Sequence, residues 1–533
     1  MRINKFTTII FLGLMFLVAF LFRVEPLVNQ RPLWIDEFCS VTESIRIQDG
    51  HENIEDNNYL THYIILISRL LFGEITYSYI FPFVFIGSLT VVLLYIFSKK
   101  HFGTTTAVCS SLLLSTSYFQ IAWSNQARGY VLQQLLSLIF LLIFFKKKIN
   151  PHLRIVLLIL VSILGIMTHK LFILLLSSAV LFYIYENSKN LKNILDISNL
   201  KKIIIFLIPL LAIIIFTDFI NTFLLSLKYG FLSFHNNFWY YKNFLWNQQT
   251  LVSVLSFSGL IIALLNKRSK RVSKFIVIYF LIHFTFITFI FGHHMTKYVL
   301  PLYVYLLLFV AYAIQNFSEE IIVKIKLKNQ NFSKILALVF TLGIIFLGDN
   351  FVRKPQEYYS VNKDMREIAV VDYDKVYEKI NAKKKIYGEQ NIALIDTWGC
   401  RINYYNGFNK ENLYWFRWID SGFRKSTLFT LNENEEKLIV STGNPEIKLI
   451  GELSDLEKAM TKYEYGFLWI DDTSLPQDVQ DYAKDNFYKE LYIESYEPEI
   501  LENPYSIWPA TLYSWGFETP NPYYSKPTQD RLE

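Results

Sequence analysis

Cysteine is scarce, with three in 533 residues, and Cys39, Cys109 and Cys400 share no spacing that suits a metal or a disulfide framework. Cys39 and Cys400 could pair only outside the cytoplasm, and their spacing gives no reason to expect it. Charge is thin as well: 18% of residues are Asp, Glu, Lys or Arg, against about a quarter in soluble proteins. No internal repeat and no low-complexity tract is present. No small-residue cleavage site follows the apolar run 6–22; Arg23, Glu25 and Pro26 interrupt it instead. That run therefore reads as an uncleaved first span with a cytoplasmic N-terminus, not as a secretory signal. The net charge of +6 is no nucleic-acid signal, because it hides a split. Residues 1–349 carry 30 Lys and Arg against 15 Asp and Glu, whereas the remainder carries 22 against 31.

What is abundant is apolar. Hydrophobic residues make up 52% of the chain, with 46 Phe and 35 Tyr. A helix needs about 20 largely apolar residues to cross the hydrocarbon. Candidate spans lie at 6–23, 78–98, 104–122, 128–145, 153–168, 170–186, 202–220, 249–265, 275–292, 296–315 and 333–349, about eleven in all by this rule. Basic loops mark the cytoplasmic side. Lys99-Lys100, Lys146 to Lys148 with Arg154, Lys189 to Lys202, Lys267 to Lys274 and Lys324 to Lys328 all fall there only if 153–186 holds two spans. The opposite side then receives the loop 24–77, the turns at 123–126, 168–169 and 293–294, the loop 221–248 and everything after 350. The apolar stretch 60–72 is too short to cross and is expected as an interfacial or re-entrant helix. The sequence thus divides into a membrane part, 1–349, which includes the loop 24–77, and an extracytoplasmic domain, 350–533. In the latter, β-rich runs at 392–395, 437–440 and 466–470 alternate with helical stretches at 364–382 and 478–486, which predicts an α/β fold. The expected architecture is a polytopic α-helical membrane protein with a C-terminal extracytoplasmic α/β domain.

Residues able to carry chemistry gather on that outer side. Asp36-Glu37 can act as a general base or ligate a cation; the plain alternative is a solvated acidic pair. Arg128, at the mouth of the fourth span, suits a phosphate oxygen, or simply snorkels to the interface. His169, His293 and His294 could transfer protons or bind metal, although adjacent residues on a helix point about 100° apart. Lys297-Tyr298 could hold a phosphate or anchor a span. Taken singly, each of these histidine and lysine positions is more simply interfacial. Their shared side and their order along the chain favour function.

That order resembles the GT-C superfamily of membrane glycosyltransferases, in the branch of protein O-mannosyltransferases and aminoarabinose transferase. The resembling residues are Asp36-Glu37 after the first span, the run 56–63 with Asp56, Tyr59, Leu60 and His62, and Tyr79-Ile80-Phe81-Pro82. Ser124-Asn125-Gln126-Ala127-Arg128-Gly129-Tyr130, Thr168-His169 and Lys297-Tyr298-Val299-Leu300-Pro301 follow. The chain departs from the pattern at Tyr59 and Leu60 for two prolines, at Gln126 for a glutamate and at Lys297 for an arginine. The resemblance implies transfer of a sugar from a polyprenyl-phosphate donor to a protein, lipid or glycan acceptor at the outer face of the cell membrane, among membrane lipids and without nucleic acid. It implies Asp36 as base with Glu37 assisting, and Arg128, Lys297, Tyr298 and His169 at the donor phosphate. Asp56, His62, Gln126, His293 and His294 are candidates for acceptor or metal; a divalent metal ion is left open, with no other cofactor expected. The competing expectations are a transporter or flippase of lipid-linked glycans, and a catalytically inactive binding module, which the loss of the carboxylate at Gln126 would suit.

Overall fold

The structure is a computed structural model that describes residues 5–28, 33, 35–50, 58–146, 148–187, 236–291, 295–327, 330–348, 350–351, 373–408, 410–417, 429–434, 436–439, 448–472, 475–493 and 507–524. The chain forms two units, one of residues 1–30 and 57–364, the other of residues 31–56 and 365–533. The loop 24–77, expected to stay with the membrane part, is thereby divided, and its middle groups with the C-terminal residues.

In chain order the helices of the first unit are α1 (Lys5–Val28), α3 (Tyr59–Phe72), α4 (Thr76–His101), α5 (Thr104–Thr116), α6 (Tyr118–Ser124), α7 (Tyr130–Phe144), α8 (Pro151–Thr168) and α9 (Phe172–Asn187). The series continues with α10 (Phe238–Lys242), α11 (Thr250–Leu265), α12 (Lys270–Phe289), α13 (Leu300–Lys324) and α14 (Gln330–Leu347). The remaining early helix, α2 (Ile35–Gln48), lies in the second unit. Each expected span falls on helix except 202–220, which lies outside the described residues. Among the described residues five helices are long and apolar enough to cross a membrane alone; a sixth would be the pair 238–248 and 250–265, bent by 94°. The stretch 153–186 is two helices, and 60–72 is the short helix α3.

Apolar side chains that face outward, such as Ile9, Leu14, Leu17 and Leu21 on α1, form the surface that a bilayer covers. Inside, α13 is buried along most of its length. Helix α11 packs against it at Gly259, where a Cβ would stand 1.9 Å from the Phe309 carbonyl oxygen. Lipid offers no hydrophobic drive between helices, so such close approach of small residues supplies the packing.

The expected span 104–122 is broken. Ser117 is extended between α5 and α6 and bridges Phe351, while the Tyr118 N–H donates to the Asn350 carbonyl at 3.1 Å. Breaking a helix frees carbonyls that hydrocarbon cannot satisfy. Arg23, fully buried on α1, answers this. Its guanidinium donates to the Leu114 and Ser115 carbonyls at 3.0 and 3.2 Å, and to Ser124 Oγ at 3.2 Å. A cation at the C-terminal end of α5 also complements the helix dipole.

The second unit is an eight-stranded sheet in the order β3-β4-β5-β2-β1-β6-β8-β7. Its strands are β1 (Ile392–Asp396), β2 (Leu413–Phe416), β3 (Phe429–Leu431), β4 (Lys437–Ile439), β5 (Lys448–Ile450), β6 (Tyr465–Asp472), β7 (Tyr488–Ile493) and β8 (Ile507–Trp515). The central run β5-β2-β1-β6 is parallel and both flanks are antiparallel. Strand β1 is buried at every residue, as parallel strands covered on both faces require. The helices are α2, α15 (Tyr373–Tyr387), α16 (Gly399–Asn406), α17 (Leu453–Lys462) and α18 (Gln477–Asn486). The expected helical stretch 364–382 is helix from Tyr373 on; the residues before it lie outside the described set.

Candidate active site

In the first unit the turn between α6 and α7 places Tyr130 at a crossing of several elements. Gly129 is what lets them meet: a Cβ there would lie 2.4 Å from Thr61 Oγ1 of α3 and 2.9 Å from the Thr168 carbonyl at the end of α8. Just beyond Thr168, the His169 ring lies 5.1 Å from the Tyr130 ring. The Leu171 N–H donates to His169 Nδ1 at 3.2 Å, so the neutral imidazole carries its proton on Nε2. The 3-10 turn Thr296–Val299 that leads into α13 brings Tyr298 to 6.3 Å from Tyr130, ring to ring.

Two cations share the same ring. Lys297 Nζ is 5.6 Å from the Tyr130 centroid and the Arg128 guanidinium carbon is 5.9 Å from it. Lys297 also lies 5.6 Å from the Tyr298 ring and is only 4% exposed, unusual for a lysine. A cation over an aromatic face gains about 0.5–1 kcal/mol at exposed sites and more when desolvated. Arg128, His169 and the pair Lys297-Tyr298 come from three separate stretches of sequence, and the structure gathers them around Tyr130. Two cations and an N–H donor above an aromatic floor can hold an anion. Tyr130 itself was legible only as the last residue of its motif.

Gln126 lies in the same turn, fully buried, and neither end of its amide finds a hydrogen-bond partner among the described residues. His62 is fully buried on α3. Asp56, His293 and His294 lie outside the described residues. Among the described residues no group of three His, Cys, Asp or Glu side chains is placed to hold a metal ion.

Asp36 and Glu37 occupy the first turn of α2, in the second unit; Asp36 is partly exposed and Glu37 is buried. Helix α2 docks on α16. Cys39 is disulfide-bonded to Cys400, the pairing for which the spacing gave no reason. Thr42 Oγ1 donates to the Cys400 carbonyl at 3.0 Å. Phe38 inserts among Tyr373, Tyr404 and Tyr405, with ring centroids at 5.6, 5.1 and 5.6 Å. Arg46 pairs with Glu43 and lies over the Phe408 ring.

Beside Cys400, Arg401 is fully buried and joins the carboxyl ends of two parallel strands. Its Nε donates to Asp396 Oδ2 of β1 at 3.0 Å and its Nη1 to Asp471 Oδ2 of β6 at 2.8 Å. Nη2 donates to Thr397 Oγ1 at 3.0 Å, and the guanidinium carbon lies 4.2 Å from the Tyr373 centroid. Tyr377 and Trp469 donate to the same two carboxylates, at 2.6 and 2.8 Å. Burial opposes the charge on Arg401, but Asp396, Asp471 and Tyr373 together hold its pKa well above the usual arginine value. Burial, with Asp396 next, raises Tyr377 well above the ordinary tyrosine range.

Residues 56–220 match the family model of dolichyl-phosphate-mannose-protein mannosyltransferases. No curated protein matches the chain by sequence. Among solved structures, the crystal structure of ArnT from Cupriavidus metallidurans bound to undecaprenyl phosphate aligns with a TM-score of 0.59 at 11% identity, covering 96% of this chain and 98% of that one. The apo form of the same protein also aligns at 0.59, with 10% identity and 95% and 97% coverage. The archaeal oligosaccharyltransferase AglB from Archaeoglobus fulgidus, in complex with an inhibitory peptide and a dolichol-phosphate, aligns at 0.52 with 12% identity, covering 92% of this chain and 73% of that one. At these identities the structures establish the fold. The chain thus shares the fold of ArnT and AglB, carries several helices long and apolar enough to cross a membrane, and is similar over residues 56–220 to the dolichyl-phosphate-mannose-protein mannosyltransferases.

Proposed function

We propose that the protein transfers a sugar from a polyprenyl-phosphate donor to an acceptor hydroxyl or amine at the outer face of the cell membrane. The observation that carries this reading is the grouping of Arg128, Lys297, His169 and Tyr298 around Tyr130, an arrangement suited to a phosphate at the end of a lipid chain. Arg128 and Lys297 hold the donor phosphate by charge-assisted hydrogen bonds, and His169 Nε2–H adds a neutral donor. By the sequence resemblance, Asp36 takes the proton of the acceptor as it attacks the anomeric carbon, and Glu37 assists. The bond from that carbon to the phosphate oxygen breaks, with inversion and without a covalent enzyme intermediate. The charge that develops on the leaving polyprenyl phosphate falls to the two cations, which act most where charge grows in the transition state. The Cys39–Cys400 bridge supports an extracytoplasmic place for the second unit, because disulfides persist in oxidising compartments.

The test is turnover of a panel of undecaprenyl-phosphate hexoses and pentoses by the purified protein in lipid nanodiscs. Wild type should release undecaprenyl phosphate, and Asp36→Asn should slow release at least a hundredfold, in line with loss of a general base. Wild-type speed in Asp36→Asn refutes the base assignment. Movement of donor across the bilayer without release would favour a flippase, and neither activity would favour a binding module.

A further inference from the structure

The acid pair rides on a helix whose described contacts with its own unit fall mostly on a single short element. Helix α16 has eight residues, too few to stand alone. Cys400 bonds to Cys39 and Arg401 ties α16 to β1 and β6. Thr42 and Phe38 also land on α16 or beside it. Asp36 precedes Cys39 by three residues, so the two share one side of α2, about 5–6 Å apart at Cβ. A continuous set of constraints therefore runs from the carboxyl edge of the sheet through Arg401 and Cys400 to Cys39 and the turn that bears Asp36.

We infer that the Cys39–Cys400 bridge, seated by Arg401, is a positioning device that fixes the Asp36-Glu37 turn for the transfer step. The inference rests on the proposed role of Asp36 as base. A base works only within hydrogen-bond reach of the proton it takes, and a displacement of about 1 Å in a reacting group can cost roughly a hundredfold in rate. Three hydrophobic and polar contacts keep α2 docked once the bridge is cut, so the expected effect is loosened placement with the fold retained. Both sulfur-bearing residues are partly exposed, within reach of a small reductant.

The experiment uses the full chain in nanodiscs, with Cys39→Ser, Cys400→Ser and wild type reduced by a water-soluble phosphine. Mass labelling should count one thiol before reduction, Cys109, and three after it. Opening the bridge should lower kcat ten- to a hundredfold, leave the donor KM and the Kd for undecaprenyl phosphate within twofold, and be reversed on reoxidation. A reduced protein with unchanged kcat overturns the inference. So does a parallel loss of kcat, donor binding and folded protein that reoxidation does not reverse, since that marks a staple of the fold only. Asp36→Asn is assayed alongside. If it keeps the wild-type rate, the base assignment has failed. If it is inactive while bridge opening is silent, the positioning inference alone has failed.

Discussion

Replacing Arg401 with methionine should destabilise the second unit more than any other single change to a described side chain of that unit. The substitution keeps an unbranched apolar side chain but removes the cation that faces both Asp396 and Asp471, which are themselves buried. Removing one partner of a buried ion pair costs about 3–5 kcal/mol, and here two carboxylates lose the same partner. The packing over Tyr373 is largely kept by the methionine. A cost of about 4 kcal/mol is roughly a thousandfold in the folding equilibrium, a large share of a domain stability of about 5–15 kcal/mol. The assay is denaturant unfolding of the full chain in detergent, followed by tryptophan fluorescence, to which Trp469 reports directly through its bond to Asp471. Adding Asp396→Asn and Asp471→Asn should restore more than half of the loss. A variant within about 0.5 kcal/mol of wild type, or no recovery on adding the two asparagines, would refute the reasoning.

Gly129→Ala should lower the melting temperature of the first unit and weaken undecaprenyl phosphate binding together, because the new methyl meets Thr61 and the Thr168 carbonyl at 2.4 and 2.9 Å. Overpacking of this kind costs about 1–3 kcal/mol, and an unchanged melting curve would show that the close approach is absent. Tyr130→Leu removes the ring that Arg128 and Lys297 share. At about 0.5–1 kcal/mol per contact donor affinity should fall about five- to thirtyfold, measurable by calorimetry with undecaprenyl phosphate, and no change would detach the ring from the phosphate site. Arg128→Glu should weaken the same binding at least tenfold and make it less sensitive to salt; equal affinity would count against its role. Gln126→Glu places a carboxylate in the turn of Arg128, where it should compete with the donor phosphate and raise the donor KM; a lowered KM would mean that a carboxylate belongs there.

Much of the architecture was legible because lipid imposes a simple code. Runs of about 20 apolar residues mark spans without reference to tertiary contacts, and helices now stand at each expected span within the described residues. The α/β character of the second unit was likewise visible, since the β-rich runs at 392–395, 437–440 and 466–470 coincide with β1, β4 and β6. The break at Ser117 was not, because the apolar composition of 104–122 is continuous. It depends on Arg23, Asn350 and Phe351, residues far away in the chain that satisfy the interrupted backbone.

The sequence by itself determined that this is a membrane protein with a polar C-terminal domain, and it singled out Asp36, Arg128, His169 and Lys297 as candidates. Local composition suffices for that, since hydrophobicity and charge are properties of short windows. Only the tertiary structure decided that residues 31–56 leave the membrane unit and that Cys39 finds Cys400 across 361 residues. It alone made Tyr130 the centre of the cationic cluster and set Arg401 behind the acid-bearing helix. Each of those depends on two or more distant segments closing on one point, and no window of sequence contains that information.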